Sequence, residues 1–327
     1  MNLPAGTKIL VSGGAGFIGS NYIRSIIDKN YDIFVVDKLT YAGNKSNLAD
    51  LISDSKIKFF HVDICDISEI ENQIPDVDIV INFAAETHVD RSIEDSFNFV
   101  KTNVLGTQAL LDYALRKNVS IFLQISTDEV YGSLLSGSWN ESCNLEPNSP
   151  YSASKAAADL LALSYFKTHG MDIRITRCCN NYGPKQNPEK LIPKIILNSI
   201  KKQNVPIYGD GLNVREWIYV LDHCKAIDLV LIKGQAGEIY NVGSGIELNN
   251  LTLASKILSY TNTAENLIEF VQDRKGHDFR YSLDSSKIGN LGFVKDYDLE
   301  EGLLNTISWY KENPKYWVEN EIHESNR

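Results

Sequence analysis

The chain has 327 residues, of which 43% are hydrophobic and 23% charged, and this composition is typical of a globular protein with a sizeable buried core. The formal net charge of -10 at pH 7 argues against nucleic acid or an anionic membrane surface as the main partner. The five cysteines are scattered without metal-ligand spacing, so the sequence predicts no metal site and favours a reducing compartment, the cytoplasm.

The first predicted element, a short buried strand over residues 8–12, is followed at once by a glycine-rich turn and a helix. Gly14, Gly16 and Gly19 match the pattern Gly-x-Gly-x-x-Gly, and Gly13 adds a second, overlapping match. These glycines permit a tight turn and the approach of a pyrophosphate to the N-terminus of the helix. The sequence therefore predicts a dinucleotide-binding unit. A strand this early leaves no room for a signal peptide, and no apolar run approaches the ~18 residues of a membrane span.

The second predicted strand, residues 33–37, ends in an acidic residue, Asp37. An acid about 20 residues beyond the glycine run is placed to bind the adenosine ribose of a dinucleotide. Because an Asp repels a 2′-phosphate and no Arg follows it, we expect NAD rather than NADP; the alternative is a surface Asp at a strand end. A third strand, residues 59–64, would place Asp63 near the adenine amine.

Further strands are predicted at 78–83, 121–125 and 172–177, and they alternate with helices. This alternation predicts a Rossmann-type, doubly wound parallel α/β sheet, with ligands at the carboxyl ends of its strands. We expect an NAD-binding domain over residues 1–178. A smaller C-terminal α/β substrate lobe would span 179–327, with some of its segments returning to the main sheet.

The strand at 121–125 leads into Thr127, Asp128 and Glu129, and a later helix carries Tyr151 and Lys155 one turn apart. A lysine ammonium beside a phenol favours the phenolate, so we expect Lys155 to lower the pKa of Tyr151. A hydroxyl, a tunable tyrosine and two acids near one point make a site that can move protons. The alternative is a solvated acidic loop and ordinary helix residues.

The predicted elements of the C-terminal part are less regular. Between Arg174 and Arg215, Lys and Arg outnumber acids, which suits an anionic ligand or a solvated basic surface. The segments in chain order are a polar turn at 180–184, an amphipathic helix at 191–202, extended segments at 206–208 and 215–219, a helix at 222–233, a strand at 238–242 and a last helix ending near 313–314.

Nine motifs along the chain match one known family, in order and without large insertions. They are residues 13–19, 37–44, 84–92, 126–132, 151–155, 180–184, 188–193, 215–220 and 276–281. Together they resemble the extended short-chain dehydrogenase/reductases, and within them the dTDP-glucose 4,6-dehydratases. The motif that points to a dehydratase is Thr-Asp-Glu before Val-Tyr-Gly, residues 127–132.

The resemblance implies a three-step conversion of dTDP-glucose to dTDP-4-keto-6-deoxyglucose and water, with NAD+ retained. Tyr151 takes the proton of the 4-hydroxyl as the C4 hydride passes to NAD+, Thr127 hydrogen-bonds O4, and Lys155 holds the nicotinamide ribose. Glu129 then removes the C5 proton while Asp128 protonates the departing 6-hydroxyl, and the hydride returns to C6. Neighbouring carboxyl groups drive their pKa values apart, which supplies one ionised and one protonated acid.

The resemblance also implies two sets of binding residues. The residues that align with cofactor contacts are Gly13, Gly16, Phe17, Ile18, Gly19, Asp37, Lys38, Leu39, Thr40, Asp63, Ile64, Ala84, Ala85, Thr102, Tyr151, Lys155 and Asn181. The residues that align with nucleotide-sugar contacts are Thr87, Thr127, Asn180, Lys190, Leu191, Pro206, Tyr208, Arg215, Asn250, Asp273 and His277. Lys190, Arg215 and His277 suit a diphosphate, although each could instead be a surface charge or a loop histidine.

The sequence departs from the family pattern at Glu216, where Asp is more usual, and at 177–179, which are usually more polar. The competing interpretations are a 4,6-dehydratase of another nucleotide sugar, a 4-epimerase, a decarboxylase, or an NAD-binding protein without catalysis. The acid pair disfavours the epimerase and the decarboxylase, which have no use for it, and the intact site residues disfavour the last. By resemblance we expect a homodimer through helices near 97–117 and 152–169.

Overall fold

The computed structural model describes residues 3–318, so the outer ends of both predicted domains, residues 1–2 and 319–327, lie outside the described residues. The strands are β1 Lys8–Ser12, β2 Asp32–Asp37, β3 Lys58–His61, β4 Ile79–Asn82, β5 Ile121–Thr127, β6 Ile173–Cys178, β7 Asn180–Tyr182, β8 Val205–Tyr208, β9 Val214–Tyr219, β10 Ile239–Val242, β11 Glu247–Asn249 and β12 Ile268–Val271. The main sheet has seven parallel strands in the order β10-β6-β5-β4-β1-β2-β3.

Helices cover both faces of this sheet and pack within the C-terminal part. They are α1 Phe17–Ile26, α2 Ala49–Ser53, α3 Ile67–Gln73, α4 Val89–Glu94, α5 Phe97–Phe99, α6 Thr107–Arg116, α7 Pro150–His169, α8 Leu191–Lys201, α9 Val220–Lys233, α10 Asn250–Tyr260, α11 Ser286–Asn290 and α12 Leu299–Glu312. A π-helical segment, Val100–Gly106, joins α5 to α6. The predicted Rossmann-type fold is confirmed.

The sheet is buried because its strands are apolar on both faces. In β1, Ile9 and Val11 belong to one core cluster and Leu10, between them, belongs to the cluster on the opposite face. Continuous apolar strands of this kind are expected of a parallel sheet covered by helices. The strand order reverses between β1 and β4, and the carboxyl ends of these strands are where a ligand crevice forms in such sheets.

Helix α7, which positions Tyr151 and Lys155, has strong signals at both ends. Ser149 and Ser152 form a reciprocal capping box, with Pro150 at the first helical turn. Gly170 ends the helix in the left-handed region, with φ of 71°. These signals explain why the helix begins just before Tyr151. The fixed start of the helix in turn fixes the position of Tyr151 relative to the sheet.

The C-terminal part forms two small sheets, β11-β9-β7 and β12-β8, around a third core cluster with helices α8, α10 and α12. The predicted polar turn at 180–184 is wrong in its first half, because Asn180–Tyr182 pairs with β9 as strand β7. Strand β10 lies outside this part and extends the main sheet beside β6. The chain therefore crosses between the two lobes more than once.

Candidate active site

The glycine-rich turn after β1 lines a deep cavity at the carboxyl ends of the strands, which we call the cofactor cavity. Gly13 has a φ of 68°, and a Cβ there would lie 2.5 Å from the backbone nitrogen of Ala84, so only glycine fits. Gly16 caps α1 without any side-chain hydrogen bond to the first-turn N–H groups. Those groups are therefore available to a pyrophosphate, and the turn fits a dinucleotide.

Asp37 at the end of β2 is held rigidly at the edge of this cavity. Its carboxylate accepts the N–H of Ala15 at 2.9 Å and that of Leu39 at 2.8 Å. Burial raises the pKa of Asp37, and the two hydrogen bonds oppose that rise. Lys38 pairs with Asp63 at 2.8 Å, so its charge is already compensated. This arrangement favours a free ribose 2′-hydroxyl over a 2′-phosphate.

The predicted cofactor residues converge on this cavity with one exception. Leu39 does not line it; its backbone, with φ of 53°, turns the chain and donates to Asp37. The others that line it are Gly13, Gly16, Phe17, Ile18, Gly19, Asp37, Lys38, Thr40, Asp63, Ile64, Ala84, Ala85, Thr102, Tyr151, Lys155 and Asn181.

The acid pair lies on a tight 3₁₀ turn, Asp128–Tyr131, directly after β5. The Thr127 hydroxyl donates to Asp128 Oδ1 at 3.1 Å and accepts the N–H of Glu129 at 3.3 Å. Asp128 is only 2% exposed, and its Oδ2 is buried without a hydrogen-bond partner among the described residues. Asp128 is one of the residues that line the cofactor cavity.

The two carboxyl groups differ in electrostatic surroundings. Burial, followed by the charges of Glu129 and Glu216, raises the pKa of Asp128 well above its ordinary value. Burial also raises the pKa of Glu129, but the positive charges of Arg215 and Lys190 oppose it. Asp128 therefore favours its protonated form, and the nearby cations make Glu129 the better able of the two to ionise.

Tyr151 and Lys155 are both buried beside the acid pair. Burial, followed by the charge of Glu129, raises the pKa of Tyr151 well above its ordinary value. Lys155 donates to the carbonyl of Ile125 at 2.7 Å, and burial lowers its own pKa. The pKa of Tyr151 thus shifts in the direction opposite to the one expected from Lys155, and loss of solvation is the largest cause.

A buried ion pair joins helix α7 to strand β6. Arg177 Nε is 2.9 Å from Asp159 Oδ2, and the two side chains are 2% and 0% exposed. Arg177 also donates to the hydroxyl of Tyr131 at 2.9 Å, and that hydroxyl donates to Asn241 at 2.9 Å. Arg177, within the stretch 177–179 that departs from the family pattern, thus joins helix α7 to the turn that carries the acid pair.

A second cavity, which we call the substrate cavity, shares Thr87, Glu129, Asn180 and Lys190 with the first. The predicted sugar-nucleotide residues that line it are Thr87, Asn180, Lys190, Leu191, Pro206, Tyr208, Arg215, Asn250 and His277. Thr127 lines only the cofactor cavity. Asp273 lines neither cavity, but it accepts a bond at 2.6 Å from Nδ1 of His277 and so orients that ring.

The cations of the substrate cavity are held by backbone carbonyls. Lys190 donates to the carbonyl of Thr87 at 3.0 Å. Arg215 donates to the carbonyls of Val214 and Asp278, at 2.8 and 2.9 Å, and lies over the ring of Tyr281 with its guanidinium carbon 4.3 Å from the ring centre. Both side chains hydrogen-bond to neutral carbonyls rather than to carboxylates, and Glu189 and Glu129 are the acids whose charges act most strongly on Lys190. A bound anion could therefore take up hydrogen-bonding capacity that no carboxylate uses.

Glu216, the other departure from the family pattern, is a buried structural carboxylate. It accepts N–H groups from Ser244 at 2.6 Å, Gly245 at 2.7 Å and Leu283 at 3.0 Å. These bonds tie strand β9, which carries Arg215, to two other segments of the lobe. The residue therefore supports the position of its neighbour.

Sequence reasoning missed several residues that line the cavities. Glu189 and Asn187 line the cofactor cavity, and Arg274 lines the substrate cavity with Tyr281 and Trp217. All but Asn187 lie inside motifs already singled out or directly beside a predicted residue. Their position in the sequence next to predicted contacts was the signal that could have identified them as cavity residues.

Between residues 3 and 318, no group of three or more His, Cys, Asp or Glu side chains is arranged to hold a metal ion. In the same part of the chain, no helix combines the length and the apolar character needed to cross a membrane.

The chain is similar to known proteins along most of its length. The family model described as GDP-mannose 4,6 dehydratase matches residues 10–306. A dTDP-glucose 4,6-dehydratase of Actinoplanes sp. is 51% identical over 319 residues, covering 95% of this chain and 100% of that protein.

Solved structures agree with this match. DesIV, a dTDP-glucose 4,6-dehydratase from Streptomyces venezuelae with NAD bound, superposes with a TM-score of 0.94 at 49% identity and covers 96% of this chain and 100% of its own. A UDP-glucose 4-epimerase from Thermotoga maritima has a TM-score of 0.88 at 28% identity, with 94% and 100% covered. This chain therefore belongs to the extended short-chain dehydrogenase/reductase family, among the dTDP-glucose 4,6-dehydratases.

Proposed function

We propose that the protein is a dTDP-glucose 4,6-dehydratase, a carbon–oxygen lyase that converts dTDP-glucose to dTDP-4-keto-6-deoxyglucose and water with a retained NAD+. The observation that carries this proposal is the acid pair, Asp128 and Glu129, which lies with unequal surroundings where the cofactor and substrate cavities meet. Relatives with this activity share about half of the sequence, at 51% identity over 319 residues.

The residues of the cofactor cavity fit NAD+. The first turn of α1 would take the pyrophosphate, Asp37 the adenosine ribose, and Tyr151 with Lys155 the nicotinamide end. The chemistry that the bound cofactor supplies is a reversible two-electron oxidation, so that the sugar is oxidised at C4 and reduced at C6 without an external reductant.

Tyr151 removes the proton of the 4-hydroxyl in the first step. To act as this base, Tyr151 must already have given up its own phenolic proton, and burial opposes that loss by raising its pKa. Thr127 supplies a hydroxyl that can bond O4 at the same point, and Lys155 can stabilise the phenolate as it forms. The resulting C4 ketone makes the C5 proton acidic.

Glu129 and Asp128 then carry out the elimination. Glu129 takes the C5 proton as the C5–C6 double bond forms, and Asp128 gives its proton to the 6-hydroxyl as the C6–O bond breaks and water leaves. The unequal pKa values supply one base and one acid before the reaction starts. After C6 is reduced, a proton returns to C5.

Lys190, Arg215 and His277 would hold the diphosphate of the substrate. We also propose a division into an NAD-binding domain, residues 1–178, and a nucleotide-sugar lobe, residues 179–327, with β10 belonging to the main sheet. The protein would act in the cytoplasm as a homodimer.

Other activities on this scaffold have less support. An epimerase or a decarboxylase gains nothing from a protonated acid beside an ionised one, and an NAD-binding protein without catalysis has no need of Tyr151, Lys155 and the acid pair together. A dehydratase for another nucleotide sugar would use the same catalytic residues, so the assay below distinguishes which nucleobase the substrate carries.

The test is incubation of the purified protein with dTDP-glucose and, separately, with UDP- and GDP-sugars, without added reductant. We expect a 4-keto product lighter by one water only from dTDP-glucose, measured by mass spectrometry. Turnover of a different nucleotide sugar alone would reassign the substrate, and an intact sugar in every reaction would refute the dehydratase assignment.

A further inference from the structure

Three chain segments, two loops and the start of helix α4, meet beside the cofactor cavity without any role in the chemistry above. Tyr41 comes from the loop after β2, Arg91 from the first turns of α4, and Glu189 from the loop before α8. We call these three residues the three-loop contact. They join the NAD-binding part of the chain to the C-terminal lobe.

The three-loop contact is built from an ion pair and a stacked ring. Arg91 Nη2 donates to Glu189 Oε2 at 3.0 Å, and its guanidinium carbon lies 4.0 Å from the centre of the Tyr41 ring. The Thr87 N–H donates to the Tyr41 hydroxyl at 3.3 Å, and Asn187 donates to the Tyr41 carbonyl at 3.3 Å. Each loop is therefore bonded to the other two.

The position of these loops suggests what they do. Thr40, Ala42 and Gly43, around Tyr41, line the cofactor cavity from one side, and Asn187 and Glu189 line it from the other. The Glu189 side chain is 9% exposed and that of Arg91 38%, so water is excluded from the carboxylate side of the pair and reaches the guanidinium side. Separating these walls would break the Asn187–Tyr41 hydrogen bond and also either the Arg91–Glu189 pair or the stacking of Arg91 on Tyr41.

We propose that the three-loop contact is a strap that retains the bound dinucleotide, with the Arg91–Glu189 ion pair holding it closed. This inference rests on the proposed function in that NAD occupies the cavity. Oxidation at C4 and reduction at C6 must use one cofactor molecule, because release between these steps would leave the sugar unreduced at C6. Slow release is therefore part of what the reaction requires, and loop opening commonly limits such release.

The experiment measures cofactor release without any sugar. Protein loaded with radiolabelled NAD+ is mixed with excess unlabelled NAD+, and the label retained is followed by rapid desalting. We expect Glu189→Gln and Arg91→Gln each to speed release at least about tenfold, the change that corresponds to about 1.4 kcal/mol. The double variant should release NAD+ less fast than the product of the two single effects would give, because the Arg91–Glu189 pair is lost in each single variant; the contact of Glu189 with His88 at 3.7 Å is lost only when Glu189 is changed.

Glu71→Gln is the matched control, since Glu71 pairs with Arg116 at 3.0 Å but lines neither cavity. Its release rate should equal that of the unmodified protein. If Glu189→Gln fails to fold, Tyr41→Leu removes the stacked ring without altering a charge and should also speed release. The melting temperature of the cofactor-free protein separates retention from general weakening.

Release as slow as in Glu71→Gln, or faster release only in step with a lower melting temperature, would overturn the strap. This result is independent of the sugar assay. A protein that leaves dTDP-glucose unchanged but holds NAD+ through the Arg91–Glu189 pair would refute the proposed function and support the strap.

Discussion

Asp128 and Glu129 are adjacent in the chain, yet their carboxyl groups meet different surroundings. Asp128 lies within a buried wall with one oxygen unpartnered among residues 3–318, whereas Glu129 faces the cations of the substrate cavity. The turn between β5 and Gly132 creates this difference, because it sends consecutive side chains in different directions. Two equal carboxyl groups thus acquire unequal proton affinities.

The first residue-scale prediction concerns Glu129→Gln. The amide keeps the shape of the side chain but cannot accept the C5 proton, so we expect elimination to slow by about 10²–10⁴-fold. Oxidation at C4 should continue slowly, because Tyr151 is unchanged. The measurement is the rate of deuterium uptake at C5 of dTDP-glucose in D2O, beside the rate of water loss. Normal rates of both would contradict the base role of Glu129.

The second residue-scale prediction links Asp128 to stability. Its folded pKa is raised above the ordinary value of 3.8, so the folded chain holds the proton at pH values where the unfolded chain has released it. Stability is therefore fully present below the ordinary pKa and falls as pH rises towards the folded pKa. Asp128→Asn removes this loss.

We expect Asp128→Asn to unfold with a free energy at least about 1 kcal/mol higher than the unmodified protein at pH 7, and with no such gain near pH 4. Urea titrations at both pH values measure this difference. The exposed Asp32→Asn serves as control and should show no pH-dependent gain. A gain that is equal at both pH values would mean that the raised pKa is not its cause.

The residues of the site could be predicted from the sequence better than their energetics. Tyr151 and Lys155 are one turn apart, and helical spacing alone placed them together. The direction of the Tyr151 pKa shift could not be predicted, because it depends on burial by segments distant in sequence. The pairing of Lys38 with Asp63 joins two loops in the same way and has no local signal.

At the scale of elements, β6 and α7 are joined by the buried pair of Arg177 and Asp159. Removing one partner leaves a charge without compensation in a region that water does not reach. We expect Asp159→Asn to lower the free energy of unfolding by at least about 3 kcal/mol, measured by urea titration. Asp159→Leu combined with Arg177→Met should lose less, because no unpaired charge remains; a larger loss in the double variant would argue against this account.

The elements themselves follow from local patterns except where pairing is distant. The strong caps of α7 and the apolar strands of the main sheet are visible in the sequence. Residues 180–184 look like a turn because Asn and Gly favour turns, but their first half pairs with β9. Tertiary pairing overrides local preference there, and it places Asn180 between the two cavities.

At the scale of the whole molecule, the alternation of strands and helices was sufficient to predict the main sheet and the edge where ligands bind. The walls of the cavities were harder to predict from the sequence, because they combine loops that are far apart in the chain. Tyr41, Arg91 and Glu189 meet only in the folded protein, and no periodic pattern links them. Residues between predicted contacts are where such walls should be sought.

The proposed homodimer would use an apolar surface that two neighbouring helical segments expose. Phe97, Val100 and Leu105 are exposed along α5 and the π-helical segment, and Leu160 is exposed on α7, which packs beside them. Phe97 is 73% exposed and Leu160 58%, and exposed apolar surface of this kind marks an interaction site. A helix pair from each subunit would cover both stripes in one interface.

We expect Leu160→Glu to weaken the dimer at least about 100-fold, because it would bury a charge in the interface. Sedimentation equilibrium measures the dissociation constant. Leu135→Glu is the matched control: Leu135 is 83% exposed and belongs to none of α5, the π-helical segment and α7, so its substitution should leave the dimer intact. A dimer unaffected by Leu160→Glu, or equally weakened by Leu135→Glu, would place the subunit contact on another surface.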